Sequence, residues 1–361
     1  MLLTIDSWRA DLYLNIMLDS NHEKVCELLH QFQLRHLHPI SILNGDSEGS
    51  VYVDNQDSPE IVVVQGVGGD GELYVAGILT ADNARGLDAL LRDIIEANKD
   101  KDPEYHNLTV YLSPAVDAAL FERAVRLDMI RVPRGYLRYD LNDSPQPAVL
   151  DEGFCFQVID DDFISGSRFI NMEDATELTD PSQKDAQDIF KRIGYGVAII
   201  HEATNELVSW CGFDYIVGNS IEFGIETAEN WQRKGFAAKV VHIALGHVYQ
   251  HGFKQVGWHY WWHNEASKRT ALKAGFQFIG EHSVYHREMN DFDNLTLQAW
   301  WNDSLLGNSA LAKECYLKAL RLIETSDRDY LASAHRGEAH MQPESLNRSL
   351  AALCSRMGEV D

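Results

Sequence analysis

The run Ile221–Ala238, IEFGIETAENWQRKGFAA, constrains this chain more than any other stretch of its 361 residues. Ile221, Phe223 and Ile225 alternate with Glu222, Gly224 and Glu226, the period-2 pattern of a strand with one buried face. Thr227, Glu229 and Asn230 signal a turn, and beyond Gln232-Arg233-Lys234-Gly235-Phe236-Ala237 the residues Ala238, Val240, Val241, Ile243, Ala244 and Leu245 keep helical spacing. A strand that turns tightly into a helix leaves the first N–H groups of that helix without intrahelical partners and pointing one way. Those donors and the helix dipole both favour an anion, phosphate above all. Gly235 allows close backbone approach to such an anion, and Ala237 keeps bulk away from it. Arg233 and Lys234 add positive charge.

The elements that follow keep a definite order. Val256 to Trp262 reads as a strand, Asn264-Glu265-Ala266-Ser267 as a helix start, Lys268 to Lys273 as a helix, and Ala274-Gly275-Phe276 as the return to a strand. With this context, the pattern Gln232-x-x-Gly235-x-Ala237 resembles the pyrophosphate loop of the GNAT superfamily of N-acetyltransferases. The resemblance implies an α/β (α+β) fold, a mixed and mostly antiparallel central sheet flanked by helices. It also implies acetyl-CoA (coenzyme A) as cofactor. The N–H groups of Arg233, Lys234, Gly235, Phe236, Ala237 and Ala238 would hold the pyrophosphate, with Gln232 opening the loop. The strand from Ile225 to Thr227 would pair with the pantetheine and offer an N–H to the thioester carbonyl. Asn264 would reach the cofactor arm, and its residue type alone also reads as a helix N-cap. Ser267, in the Asn-x-x-Ser pattern, counts among both cofactor-binding and catalytic candidates. Many relatives carry a tyrosine where this chain has Ala271; with it, the segment NEASKRTALKAGF is similar to a branch with a degenerate N-terminal half that includes antibiotic-resistance acetyltransferases. Glycine N-acyltransferase-like proteins share the two-half layout.

Acetyl transfer from a thioester to an amine needs aligned substrates, a base for the ammonium proton and donors for the oxyanion. Glu222 or Glu226 would be the base; a carboxylate that only orients the amine or caps the Thr227 turn is the other reading. Ser267, Tyr285 or water would protonate the leaving thiolate, or nothing would, since a thiolate leaves well. Tyr285 alternates with Val284 and His286 in a strand, which fits packing as well. His259, Trp261 and His263 should share one strand face and Tyr260 and Trp262 the other, either as core or as an aromatic wall for a cation. His247 and His251 stand i, i+4 on a helix, a spacing that can hold metal, but no third ligand has suitable spacing and no metal is expected.

A formal net charge of −24, spread over the whole chain, argues against nucleic acid or anionic membrane as partners. It would steer a cationic amine inward, and plain solubility explains it equally. No window reaches the roughly 18 apolar residues of a bilayer span. The N-terminus carries Asp6, Arg9 and Asp11 within its apolar stretch, unlike a signal peptide. The five cysteines are scattered and fit reduced thiols in the cytoplasm.

Three segments follow from these patterns: 1–145, a degenerate GNAT-like N-terminal domain; 146–290, the catalytic GNAT domain; and 291–361, an α-helical appendage. Residues 1–40 should be helical, with Trp8, Leu12 and Ile16 on one stripe and Val25, Leu28, Leu29 and Phe32 on another. Thr80-Ala81-Asp82-Asn83 lies over Thr227-Ala228-Glu229-Asn230 at the same offset that lays Met129 on Phe276, which suggests duplication. The first copy lacks the loop, because Arg85-Gly86-Leu87-Asp88 puts a carboxylate where an anion would sit. Asn142 to Pro147 is a linker, and Asp160 to Gln187 is acidic and irregular. The helical tail would pack on the body, on a second subunit or on another partner. The function expected is an acetyl-CoA-dependent N-acetyltransferase acting on a primary amine of a small molecule by direct attack. The alternative is a non-catalytic CoA-binding or partner-binding protein on the same body.

Overall fold

The computed structural model describes residues 15–16, 22–32, 36–66, 70–98, 107–166, 169–179, 188–325 and 343–358. Asn15–Ile16 form a short strand, β1, although the spacing of Ile16 predicts a helix; Trp8 and Leu12 of that stripe lie outside the described residues. The second stripe does form helix: α1 (His22–Leu29) runs into a 3-10 turn (His30–Phe32) and buries Val25, Leu28, Leu29 and Phe32. Then come α2 (His38–Leu43), opened by Pro39, and β2 (Gly49–Val53). The next elements are β3 (Ile61–Gly66), β4 (Asp70–Gly77), α3 (Ala81–Asn98), β5 (Asn107–Leu112), α4 (Ala118–Ala124) and β6 (Ile130–Asp140). Asp117 caps α4 by accepting from the N–H groups of Ala119 and Leu120.

Past the linker, β7 (Phe154–Ile159) leads into α5 (Asp161–Gly166), α6 (Met172–Thr179) and α7 (Asp188–Ile193). The acidic stretch after Asp160 therefore forms helices α5 and α6, whose first-turn carboxylates complement their dipoles, with a bridge from Ile170 to Glu206 between them. The hairpin β8 (Gly196–His201) and β9 (Glu206–Val217) precedes β10 (Ser220–Thr227), α8 (Phe236–Gln250), β11 (Gln255–Trp261), α9 (Glu265–Lys273) and β12 (Gln277–Glu288). Among the described residues three helices follow: α10 (Asp291–Ser304), α11 (Ser309–Thr325) and α12 (Pro343–Arg356). No helix among the described residues is long and apolar enough to cross a membrane.

The chain divides into two units that interleave in sequence. Unit 1 is Met1–Asn21, Tyr52–Val132 and Val284–Asp361; unit 2 is His22–Val51 and Pro133–Ser283. These limits differ from the borders expected at 145 and 290. In unit 1 the strand order is β1-β2-β3-β4-β5-β12, with β3–β4 antiparallel, β4–β5 parallel across α3, and β5–β12 antiparallel. In unit 2 it is β7-β8-β9-β10-β11-β6, with β10–β11 parallel across α8 and β11–β6 antiparallel. The runs β3-β4-β5-β12 and β9-β10-β11-β6 repeat the same sequence of pairings, antiparallel, parallel, antiparallel, and each is finished by a strand from the other half of the chain. β6 follows β5 in sequence yet pairs with β11, and β12 follows β11 yet pairs with β5. Alternating hydrophobicity tells which residues point inward and leaves the choice of neighbouring strand open.

The core of unit 2 joins Phe213, Ile221 and Phe223 on the sheet to Val240, Val241, Ala244, Leu245 and Val248 of α8. In unit 1, the tail helices have their own apolar cluster of Phe292, Ala299, Ala312, Tyr316, Leu346 and Leu353. Asn294 and Gln298 of α10 donate to the carbonyl of Asp128 at 2.8 and 3.1 Å, which fixes the tail to the rest of that unit.

Candidate functional site

Parallel pairing of β10 with β11 covers only Ser220↔Gln255, Ile221↔Val256 and Glu222↔Gly257. Past that point β10 stays on β9 as far as Thr227, and β11 stays on β6 as far as Trp261. The two strands part, which opens a wedge walled by backbone N–H and C=O groups that need partners. A register shift at Ile221/Glu222, where β9 carries one extra residue, Tyr215, between the partners Ile216 and Asp214, coincides with the start of the parting. The corresponding strands of unit 1 do not separate: β4 and β5 pair in register from Asp70↔Asn107 through Val75↔Leu112.

The turn at the open end of β10 is tied down from within. Ser209 Oγ donates to the Glu226 carbonyl at 2.9 Å and lies 2.7 Å from Thr227 Oγ1, while Gln232 Nε2 donates to the Thr227 carbonyl at 3.2 Å. Arg233 and Gly235 then take left-handed backbone angles, φ 60° and 90°. A Cβ on Gly235 would meet nothing within 4 Å, so glycine is set by backbone conformation and not by crowding. Gln232 to Gly235 are exposed, whereas Phe236 plugs into the core against Phe154 and Trp231, ring centroids 4.8 and 5.6 Å away. Lys234 Nζ sits 4.5 Å above the Trp231 ring, and Lys239 pairs with Asp151 at 2.7 Å.

Gly235 is the N-cap of α8 with no side-chain cap, and among the described residues no side chain accepts from the amides of Arg233 through Ala238. Their donors and the helix dipole therefore face an open surface. The first turn of α3 in unit 1 is the opposite case. Thr80 Oγ1 accepts from the Asn83 N–H at 3.3 Å and Asn83 Oδ1 accepts from the Thr80 N–H at 2.8 Å, a reciprocal cap that uses up donors.

The other candidates fall in different places. Glu222 is buried, and its Oε1 accepts from the Leu37 N–H at 2.9 Å; this carboxylate holds the segment that leads into α2. Glu226 is exposed near the end of β10, with Trp210 as its cross-strand partner and α6 packed on the same two strands. Asn264 caps α9, its Oδ1 accepting from the Ser267 N–H at 2.9 Å. Ser267 Oγ in turn accepts from the Trp258 indole at 3.0 Å. Ala271 is fully buried in the core of unit 2.

Tyr285 corrects an expectation. It is buried in the core of unit 1, and its hydroxyl donates to Glu122 Oε1 at 2.7 Å. Burial first, then that hydrogen bond, raises its pKa far above the ordinary tyrosine value, which makes it a poor proton donor. The strand exchange explains its position, since the end of β12 serves unit 1 and not the unit of the Gly235 loop. The pair His247 and His251 is committed to carbonyls, Nε2 of His247 to Ile193 at 2.7 Å and Nδ1 of His251 to His247 at 2.9 Å. His259 is half-buried and stands beside His36 and His282. Nothing in the sequence pointed to that grouping, because the three residues lie in unrelated stretches.

Residues 151–277 match the acetyltransferase (GNAT) domain family, a span that contains the parted strands, the loop and α8. No curated protein matches the chain. Solved structures similar to it include a GCN5-related N-acetyltransferase-like protein from Streptococcus suis, with TM-score 0.51 and 17% identity, covering 73% of this chain and 97% of the other. A GCN5-related N-acetyltransferase from Sphaerobacter thermophilus has TM-score 0.51 and 12% identity, over 78% of this chain and 97% of its own. A Drosophila protein has TM-score 0.52 and 13% identity, over 76% and 98%. At such identities the likeness is one of fold. The family match is thus confined to residues 151–277, within a mixed α/β body whose fold resembles these structures and which has helices after β12.

Proposed function

We propose that the protein is a cytoplasmic, acetyl-CoA-dependent N-acetyltransferase that moves an acetyl group to a primary amine of a small molecule by direct attack. One observation carries the reading: β10 and β11 part beside a helix N-terminus whose amides no described side chain caps. These features suit coenzyme A. The amides of Arg233 through Ala238 would hold its diphosphate, with Arg233 and Lys234 adding charge, and the stretch of β10 from Ile225 to Thr227, beyond its pairing with β11, would run beside the pantetheine arm. Asn264 and Ser267 stand at the start of α9, and Asn264 would reach the cofactor arm. When bound, the cofactor supplies an acetyl group activated as a thioester.

The chain's own residues do the rest. Glu226, exposed past the parting, takes the ammonium proton directly or through one water. Glu222, which accepts from the Leu37 N–H, is a positioning residue that holds the segment before α2 against β10 where the two strands begin to separate. Ser267 Oγ accepts from Trp258, which leaves its own proton to donate toward a departing thiolate. Acidic side chains in the first turn of α6, Glu173 and Asp174, favour a cationic acceptor.

A second reading, a CoA-binding protein without turnover, draws on Ala271, which places a buried methyl group where a hydroxyl would serve the thiolate. Thiol release from acetyl-CoA across a panel of amines, run beside a thermal shift with CoA, separates the two. Turnover supports the enzyme, and Glu226→Gln should then lower kcat about 100-fold. A shift without turnover on any amine supports the binding protein. Neither shift nor turnover sinks both.

A further inference from the structure

Three imidazoles from distant parts of the chain meet in unit 2. His36, just before α2, His259 of β11 and His282 of β12 each bring a ring nitrogen to within 4.8 Å of the others. His36 stacks on His259 with centroids 4.6 Å apart and 13° between planes, and stands edge-on to His282 at 4.9 Å and 89°. A carboxylate accompanies them: Glu222 Oε1 lies 3.8 Å from His259 Nε2. The same oxygen accepts from the N–H of Leu37, so the residue next to His36 is tied to the residue beside His259.

The rings are held from outside as well. His38 stacks on Tyr215 at 3.8 Å, which fixes the backbone two residues beyond His36. The Tyr136 ring lies 4.9 Å from His259. Gly257 leaves the space that Glu222 and Tyr136 fill, since a Cβ there would come within 3.1 Å of Glu222 Cγ and 3.2 Å of the Tyr136 ring. A ligand set supported by packing of this kind is already oriented before any ion arrives.

Three imidazole nitrogens with a carboxylate alongside match the donor preferences of zinc-type cations and not those of calcium or magnesium, which take oxygen. Zn–N bonds of about 2.0–2.1 Å set tetrahedral nitrogens about 3.4 Å apart. The rings therefore need to close by no more than about 1.4 Å at the widest pair, within reach of side-chain rotation. We propose that His36, His259 and His282 bind one zinc-type divalent transition-metal ion, with Glu222 as the neighbouring negative charge, and that the ion pins the segment leading into α2 onto β10, β11 and β12 of unit 2. The site rests on no part of the acetyl-transfer reading.

Full-length protein stripped with a chelator and titrated with Co(II), then with Zn(II) against a colorimetric chelator, tests this directly. One equivalent should bind, giving the visible bands of imidazole-ligated Co(II), and zinc should displace it and raise the Tm by several degrees. His36→Ala and His282→Ala should each abolish the bands and the Tm rise, and Glu222→Gln should weaken zinc binding about 10-fold. His251→Ala, which breaks the other histidine pair, should change neither. Absence of stoichiometric uptake by the wild-type chain overturns the proposal whether or not a variant folds. So does uptake that survives His282→Ala and disappears in His251→Ala.

Discussion

At the scale of single residues, the site depends on Gly235 and its left-handed backbone. Replacing it with alanine adds a methyl group that meets no atom, so the cost is conformational alone, about 1 kcal/mol. Gly235→Ala should lower the Tm by a few degrees and weaken CoA binding, with calorimetry reading both. Unchanged affinity would show that the loop conformation is not the binding conformation. Tyr285 makes the opposite case. Tyr285→Phe removes a hydrogen bond to a carboxylate and should cost about 1.5–3 kcal/mol of stability while leaving the acetylation rate as it was. The folded pKa of Tyr285 is raised, so its contribution is present below the unfolded value near 10 and is lost as pH climbs beyond it. Melts of the wild type should therefore weaken above about pH 10, and Tyr285→Phe should flatten that slope. A loss of activity in this variant would return Tyr285 to the chemistry.

At the scale of elements, α8 does two jobs whose electrostatic needs can be set against each other. Its apolar face packs into the core through Val240, Val241, Ala244, Leu245 and Val248, and its N-terminus offers donors to an anion. Ala237→Asp places a carboxylate in the first turn. It should stabilise the helix by about 0.3–1 kcal/mol through the dipole and, at the same time, weaken CoA binding by repelling the diphosphate. Thermal melts and CoA titrations moving in opposite directions would support an anion site at this terminus; parallel movement would count against it. The first turn of α3 has that design built in, with Thr80 and Asn83 spending the donors on each other and Asp82 and Asp88 close behind. The likeness of TADN to TAEN was visible in the sequence, and so was the carboxylate at 88. Which of the two strand pairs would part was not visible, because backbone separation leaves no mark on residue type.

At the scale of the whole molecule, the exchange of β6 and β12 decides what can be cut. A fragment of residues 146–290 would keep the loop and α8 but lose β6, whose residues Arg134 to Asp140 pair along the whole of β11. It would also lose α1 and α2. Leaving β11 as an open edge invites association, so this fragment should be aggregation-prone and show no cooperative melt, whereas the full chain should show one. A soluble 146–290 fragment that melts cooperatively and binds CoA would refute the structural role given to the exchange.

The sequence by itself determined the local chemistry. Period-2 runs became strands, the stripe from Val25 to Phe32 became buried helix, Asn264 became a cap, and Gln232 to Gly235 came out as an exposed turn into a helix. Each follows from residues within a few positions of one another, where spacing and side-chain type act directly on the backbone. Tertiary structure alone decided the rest: that β6 joins β11, that Tyr285 serves the other core, that Glu222 holds Leu37, and that three histidines share one small space. Those outcomes depend on which distant strands pair. Strands of like alternation are interchangeable until packing chooses between them.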